Sequence, residues 1–157
     1  MQKIRPFLWF DNQAEEAMAF YTSVFANSRQ GEIHRRSANE VGSTSDVMSV
    51  TFEIAGQPFM AINGGPHFKF TPAISFFVDC ETQEEVDRLW NRLLEGGTPQ
   101  QCGWLTDRFG VSWQIIPSVL HDLLFDADPA KAARVREAMM GMVKLDIAAL
   151  QQAHRGD

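Results

Sequence analysis

The chain has 157 residues, of which 45% are hydrophobic and 22% charged, the composition of one globular domain with a sizeable core. Its 14 basic and 20 acidic residues give a formal net charge of −6. Binding to nucleic acid or to an anionic membrane surface needs a clustered excess of Lys and Arg, so this balance argues against both partners.

The first half of the chain predicts a strand, a helix and a hairpin. Ile4–Phe10 is a short apolar and aromatic run that ends in a turn, as a buried strand does. Asn12 and Glu15 have the spacing of a capping box, and apolar residues follow at helical intervals. Asp46–Ile54 then alternates by twos, and after a turn at Ala55-Gly56-Gln57 comes a second apolar run, which indicates a hairpin.

The second half repeats this order about 70 residues later. Ala73–Val78 is again an apolar strand, and Thr82 with Glu85 forms another capping box before an apolar helical stripe. A strand at Val111–Ile116, ended by Pro117, closes the repeat. The two helix entrances also align as sequences, with a strand-ending Asp and a Glu-Glu pair in both FDNQAEEAMAFY and VDCETQEEVDRLW. A two-module domain is therefore expected.

The last 40 residues predict helices instead of strands. Asp128 followed by Pro129 is typical of a helix N-cap with proline at the first helical position. Val135, Met139 and Met142 then form an apolar row. This stripe packs either on its own domain or on a partner subunit, and the sequence leaves both alternatives open.

Four segments resemble one known family, and they read LWFDNQAEEAMAFY, FMAINGGPHFKFTPAISFFV, EEVDRLW and CGWLTDRFGVSWQIIP. The chain resembles the PhnB-like members of the vicinal oxygen chelate superfamily, which also carry a 3-demethylubiquinone 3-methyltransferase label. The resemblance implies an α+β fold of two βαβββ modules that form cupped mixed and antiparallel sheets. We expect this domain over residues 1–117, with modules at about 3–70 and 71–117, and a helical tail over 118–157.

The methyltransferase label meets a physical objection. S-adenosylmethionine is usually held by a glycine-rich turn between a strand and a helix, with an acidic partner for the ribose. The glycine-rich stretch of this chain, Asn63-Gly64-Gly65-Pro66, lies between two apolar strands instead. It is expected to be a turn that needs positive φ, and methyl transfer is not expected.

The resemblance also implies positions for a divalent metal, and these hold few ligands. The positions fall on Ile4 or Pro6, on Ala61, on Ala73 and on Gln114. A single neutral amide cannot hold a metal that takes three or four oxygen or nitrogen ligands. The four histidines show none of the usual ligand spacings, so we expect no bound metal and no other cofactor.

Strand alternation predicts which side chains share the concave face with these positions. Together they would make an aromatic wall around a small polar group, suited to a small organic ligand, or a filled core in which the polar groups satisfy one another. Trp113 is placed on the helix side, Trp104 and Cys102 at the pocket rim, and Asp107 is a turn residue or a general base. The candidates for ligand binding are Leu8, Phe10, Phe59, Asn63, His67, Ser75, Phe77, Cys102, Trp104, Ser112 and Gln114.

Three hypotheses on function remain at this stage. The first is a metal-independent module that binds a small hydrophobic or aromatic molecule. The second is a glyoxalase- or dioxygenase-type enzyme with altered metal ligands, and the third is a structural or interaction domain without a ligand. Whether any reaction is catalysed stays open.

The cellular setting and assembly can also be predicted. No apolar run approaches the about 18 residues that cross a bilayer, and no signal-like block opens the chain. Cys80 and Cys102 are too few for a disulfide framework, so we expect free thiols and a cytoplasmic protein. An apolar sheet face needs cover and the superfamily pairs modules within or between chains, so a homodimer is expected.

Overall fold

The computed structural model describes residues 2–37 and 46–157. The chain divides into two compact units, the first ending at Lys69 and the second running from Phe70 to Asp157. In the described part, no helix combines the length and the apolar character needed to cross a bilayer.

The first unit is a four-stranded mixed sheet with one helix. Its strands lie in the order β1-β4-β3-β2, with β1 parallel to β4 and the other neighbours antiparallel. Aromatic residues fill the layer between helix and sheet, where the rings of Tyr21 and Phe52 lie 6.4 Å apart and those of Phe52 and Phe59 stack at 5.4 Å. The elements are β1 (Phe7–Phe10), α1 (Ala14–Val24), β2 (Arg29–Arg35), β3 (Val47–Ile54) and β4 (Gln57–Asn63).

The predicted capping box at the start of α1 is wrong. The N-cap is Gln13, and it makes no side-chain capping bond. The first free N–H group of the helix, that of Ala14, instead donates to Oδ1 of Asn63 at 2.9 Å. A buried amide at the end of β4 therefore satisfies the helix terminus, which is a long-range substitute for a local cap.

The second unit repeats the same connectivity and adds three helices. Its strand order is β5-β8-β7-β6, again with the first strand parallel to the last one of the module. Here the predicted capping box is confirmed, since Oγ1 of Thr82 accepts from the N–H of Glu85 at 3.1 Å. The elements are β5 (Phe76–Cys80), α2 (Gln83–Leu94), β6 (Thr98–Pro99), β7 (Trp104–Thr106), β8 (Ser112–Pro117), α3 (Val119–Leu124), α4 (Pro129–Met140) and α5 (Ile147–Arg155).

The expected fold class is confirmed: two βαβββ modules with mixed sheets, followed by C-terminal helices. The predicted stripe of α2 is buried through Val86, Leu89, Trp90 and Leu93. Trp113 lies on this same side of the sheet as predicted, with its ring 5.3 Å from that of Phe76. The main strand that the residue patterns do not predict is β2, whose seven residues are all exposed and show no apolar alternation.

The C-terminal helices pack on the second unit. Asp128 caps α4 by accepting from the N–H of Ala130 at 2.9 Å, with Pro129 in the first turn as predicted. Gln83 of α2 connects to the chain before α5, donating to the carbonyl of Leu145 at 3.1 Å and accepting from the N–H of Ile147 at 2.7 Å. The buried residues of the cluster that these helices build are Ile116, Leu120, Val135, Leu145 and Leu150.

Candidate functional site

The face of the second sheet that points away from α2 carries a cross-strand row of large side chains. Gln114 lies in the middle strand β8, paired with Phe77 on one side and with Trp104 on the other. The next row toward the strand ends pairs Asp79 with Ile116. Alternate residues share one face of a strand, so an amide flanked by two aromatic rings lies beside a carboxylate.

Helices α3 and α4 border this face and leave a half-open pocket of about 300 Å³, in which Phe77 and Phe125 are 56% and 69% exposed. Strands β5 and β8, with the start of β7, form its floor, and the two helices supply apolar side chains from above. This volume is at the lower end of the range for small-molecule sites. The lining residues are Phe77, Asp79, Cys102, Trp104, Gln114, Ile116, Pro117, Ser118, Leu120, His121, Leu124, Phe125 and Met139.

The polar groups of the pocket are few and defined in orientation. Nε2 of Gln114 donates to Oγ of Ser75 at 2.9 Å, which directs the remaining acceptor, Oε1, away from Ser75. His121 packs its ring 4.8 Å from that of Phe125 on the helical side. The pocket is thus lined by aromatic and aliphatic side chains with one carboxylate, one amide, one imidazole, one hydroxyl and one thiol.

The two thiols differ in their surroundings. Cys80 is fully buried, and this burial, together with the nearby carboxylates of Glu85 and Asp79, raises the pKa of its thiol to about 12. Such a thiol is a packing group and not a nucleophile. Cys102 is half-buried in the pocket wall with a positive φ of 60°, and its N–H donates to the carbonyl of Met142 at 2.9 Å. The tail therefore fixes the backbone on which this thiol is presented.

Four of the predicted candidates meet in this pocket, namely Phe77, Cys102, Trp104 and Gln114. Ser75 stands behind them as the hydrogen-bond partner of Gln114. Ser112 follows the same alternation but lies outside the lining, with a buried hydroxyl that finds no hydrogen-bond partner among the described residues.

The face predicted for the candidates of the first unit is wrong. Leu8, Phe10, Phe59 and Asn63 are buried on the α1 side of their sheet, not on the open face. The phase of the alternation was off by one residue, because FLWF in β1 is apolar at every position and offers no polar residue to fix it. Asn63 has a structural function, as its Nδ2 also donates to the carbonyl of Val47 at 3.0 Å.

His67 lies in the exposed loop after β4 and does not line the pocket of the second unit. The same loop contacts the open face of the first sheet, where Nε1 of Trp9 donates to the carbonyl of Gly65 at 2.9 Å. A Cβ atom on Gly64 would approach the Trp9 ring to 2.3 Å, so glycine is required there. Gly65 has the predicted positive φ, at 91°. This glycine-rich stretch is a tryptophan-packing turn, and no helix follows it that could hold a nucleoside.

Asp107 is a buried turn residue. One of its oxygens accepts from the N–H groups of Phe109 and Val111 at 2.8 and 3.0 Å, and the other accepts from Nε1 of Trp113 at 2.9 Å. A carboxylate occupied by three donors holds the β7–β8 turn and is not placed as a general base.

The residues present do not fit the divalent metal that the fold family implies. Ala61 lies under α1, and the positions of the first sheet that do face away from the helix pair Phe7 with Met60 and Trp9 with Ile62. None of these side chains is a metal ligand. Within residues 2–37 and 46–157, no group of three or more His, Cys, Asp and Glu side chains is arranged to hold a metal ion.

The tail residues of the pocket were missed from the sequence. Leu120, Leu124 and Met139 line it from α3 and α4. The i, i+4 spacing of the first two was a usable signal for an inward apolar side, but nothing local indicates which face of the sheet such a helix covers.

Comparison with known proteins gives the following matches. The family model described as 3-demethylubiquinone-9 3-methyltransferase matches residues 2–116. A PhnB protein from Bacillus cereus with that family description is 41% identical, covers 74% of this chain and 99% of its own, and superposes with a TM-score of 0.69. Protein PA1353 from Pseudomonas aeruginosa is 24% identical, with 74% and 98% covered and a TM-score of 0.59. Comparison with curated proteins gives no match.

Proposed function

The chain belongs to the 3-demethylubiquinone-9 3-methyltransferase family, the PhnB-like group of the vicinal oxygen chelate superfamily, and from this we propose that it is a small-molecule binding module. Its ligand is a small hydrophobic or aromatic molecule, and the binding site is the pocket of the second unit. The observation that carries the proposal is the chamber of about 300 Å³ between the aromatic row of the sheet and α3 and α4.

The composition of the pocket supports binding better than catalysis. Phe77, Trp104 and Phe125 offer ring faces, and burial of apolar ligand surface against them contributes about 25 cal/mol for each Å² removed from water. Gln114, held by Ser75, supplies one oriented polar contact. The metal-dependent enzyme is the weaker alternative, because Gln114 carries the one possible ligand among the metal positions. Methyl transfer is not proposed, because the glycine-rich stretch packs on Trp9.

The test compares two exposed phenylalanines that occupy the first strand of each unit. Phe77 is 56% exposed and lines the pocket, whereas Phe7 is 54% exposed and lies on the other unit. The probe is N-phenyl-1-naphthylamine, a neutral aromatic dye whose fluorescence rises in apolar surroundings. Phe77→Ala is expected to weaken dye binding about two- to twelvefold, the range that follows from about 0.5–1.5 kcal/mol for one aromatic contact.

The control variant Phe7→Ala is expected to leave the dissociation constant of the dye unchanged. Equal losses in both variants, or an absence of dye binding in the parent protein, would remove the proposal. The homodimer and the cytoplasmic location expected from the sequence stay predictions.

A further inference from the structure

We infer that the molecule bound in this pocket is an organic cation, a protonated amine or a quaternary ammonium on an aromatic or aliphatic body. The inference rests on the proposed function, since it names the ligand class of the same pocket. It is carried by the charge of the lining: Asp79 is the acidic residue among the thirteen, His121 is the basic one, and none of them is Lys or Arg.

Asp79 is placed to contact a ligand without losing an internal partner. Its carboxylate makes no salt bridge and no side-chain hydrogen bond within the described part of the chain. It lies two residues beyond Phe77 on β5, so the two side chains share one face, about 7 Å apart along the strand. A cation that stacks on Phe77 therefore comes within reach of the carboxylate.

The aromatic row is suited to the same charge. Phe77 and Trp104 flank Gln114 on the strands to either side, which separates their backbones by about 10 Å. The Gln114 side chain lies between the two rings, so a flat ring or an ammonium group that contacts both of them would lie above this amide. Aromatic ring faces attract cations within about 6 Å, and tryptophan does so most strongly.

Gln114 supplies a further polar contact. One N–H of its amide donates to Ser75, which leaves the Oε1 acceptor and the second N–H for a ligand. A protonated amine can donate to the amide oxygen, whereas a carboxylate or sulfonate ligand would meet the like charge of Asp79. The aromatic rings and Asp79 thus favour a cation, and Asp79 opposes an anion.

The experiment uses three probes of nearly the same shape and different charge. Phenyltrimethylammonium is the cation, tert-butylbenzene its neutral carbon analogue, and benzenesulfonate the anion; each is titrated as a competitor of N-phenyl-1-naphthylamine on the full chain. The cation is expected to bind at least tenfold more tightly than the anion. Asp79→Asn is expected to weaken the cation about fivefold and to leave tert-butylbenzene unchanged.

Glu81→Gln is the matched control, because it removes the same charge two residues further along, outside the pocket lining. It is expected to change the affinity of the cation less than twofold. Benzenesulfonate binding as tightly as the cation, or equal effects of the two variants on the cation, would overturn the inference while the binding function stands. Failure of the dye and of all three probes to bind would overturn the proposed function itself.

Asp79 is exposed, so neutralising it is not expected to disturb the fold. An unchanged melting temperature and unchanged tert-butylbenzene binding in Asp79→Asn establish that any loss of cation binding comes from charge. A loss of both probes together with an unchanged melting temperature counts against the inference, because it assigns a shape-dependent role to Asp79 instead.

Discussion

The two units share one connectivity and use it differently. In both, the first strand runs parallel to the last, and one helix covers one face of a four-stranded sheet. In the second unit, α3 and α4 border the opposite face and form a pocket beside Phe77, whereas the corresponding face of the first unit is contacted at Trp9 by the loop after β4. The module supplies the sheet, and the residues added after it create the site.

The largest expected effect comes from truncating a buried side chain in the cluster that the C-terminal helices build. Leu145 is fully buried in the cluster that also contains Ile116 and Leu120, two residues of the pocket lining. Leu145→Ala is expected to lower the free energy of unfolding by about 2–5 kcal/mol, through lost burial and a residual cavity. It is also expected to weaken dye binding, because the pocket roof depends on the same cluster. Urea unfolding and dye titration measure the two effects.

Leu8→Ala is the control for this experiment, since it makes the same change at a buried leucine of the first unit. It is expected to cost a comparable unfolding free energy and to leave dye binding of the folded protein unchanged. If both variants weaken the dye equally, the tail has no special role in the pocket.

The reach of sequence reasoning also differs between the units. In the second unit the alternation was phased correctly, because polar Asp79 and Gln114 alternate with apolar neighbours on β5 and β8. In the first unit the apolar run of β1 left the phase undefined, and four candidates were assigned to the wrong face. Strand β2 was not identified from its own residues, since RQGEIHR is a charged edge strand without an apolar face.

The roof of the pocket was beyond the reach of local patterns. Helical spacing predicted that the tail is helical, and this is confirmed. Its position depends on long-range contacts such as the side chain of Gln83 with the backbone at Leu145 and Ile147, more than 60 residues away. Such a contact leaves no periodicity in either segment, so it cannot be read from one sequence.

The second test uses two variants, Asp107→Asn and Asn63→Asp. The two buried side chains have nearly the same shape but opposite hydrogen-bonding requirements. Asp107 in the second unit accepts from three donors, including the indole N–H of Trp113. Asp107→Asn would replace one of the two accepting oxygens by an NH₂ group, which cannot accept a hydrogen bond. At least one of the three donors would then lose its partner. An unsatisfied buried polar group costs about 1–3 kcal/mol, so the free energy of unfolding is expected to fall by that amount.

Asn63 in the first unit has the reverse requirement, because it accepts from Ala14 and donates to the carbonyl of Val47. Asn63→Asp would place a carboxylate oxygen against this carbonyl, and it is expected to destabilise the protein at neutral pH at least as much. Urea unfolding of both variants checks the pair. Tolerance of either exchange would contradict the hydrogen-bond roles assigned to these two side chains.

The smallest expected effect concerns the turn between β3 and β4 in the first unit. The corresponding turn of the second unit, between β7 and β8, is held by Asp107. Ala55 and Gly56 join β3 to β4 with φ values of 50° and 83°, the positive angles of a two-residue type I′ turn. A residue with a Cβ atom is destabilised by about 1–2 kcal/mol in the left-handed region. Glycine avoids this cost but loses more conformational entropy on folding, which offsets part of the gain. Ala55→Gly is therefore expected to stabilise the protein by about 0.5–1 kcal/mol, which raises the melting temperature by about 1–4 °C for a chain of this size. Ala55→Ser keeps the Cβ atom and is expected to give no such rise. A lower melting temperature for Ala55→Gly would show that the turn carries no strain, and that local backbone cost does not distinguish the two hairpins.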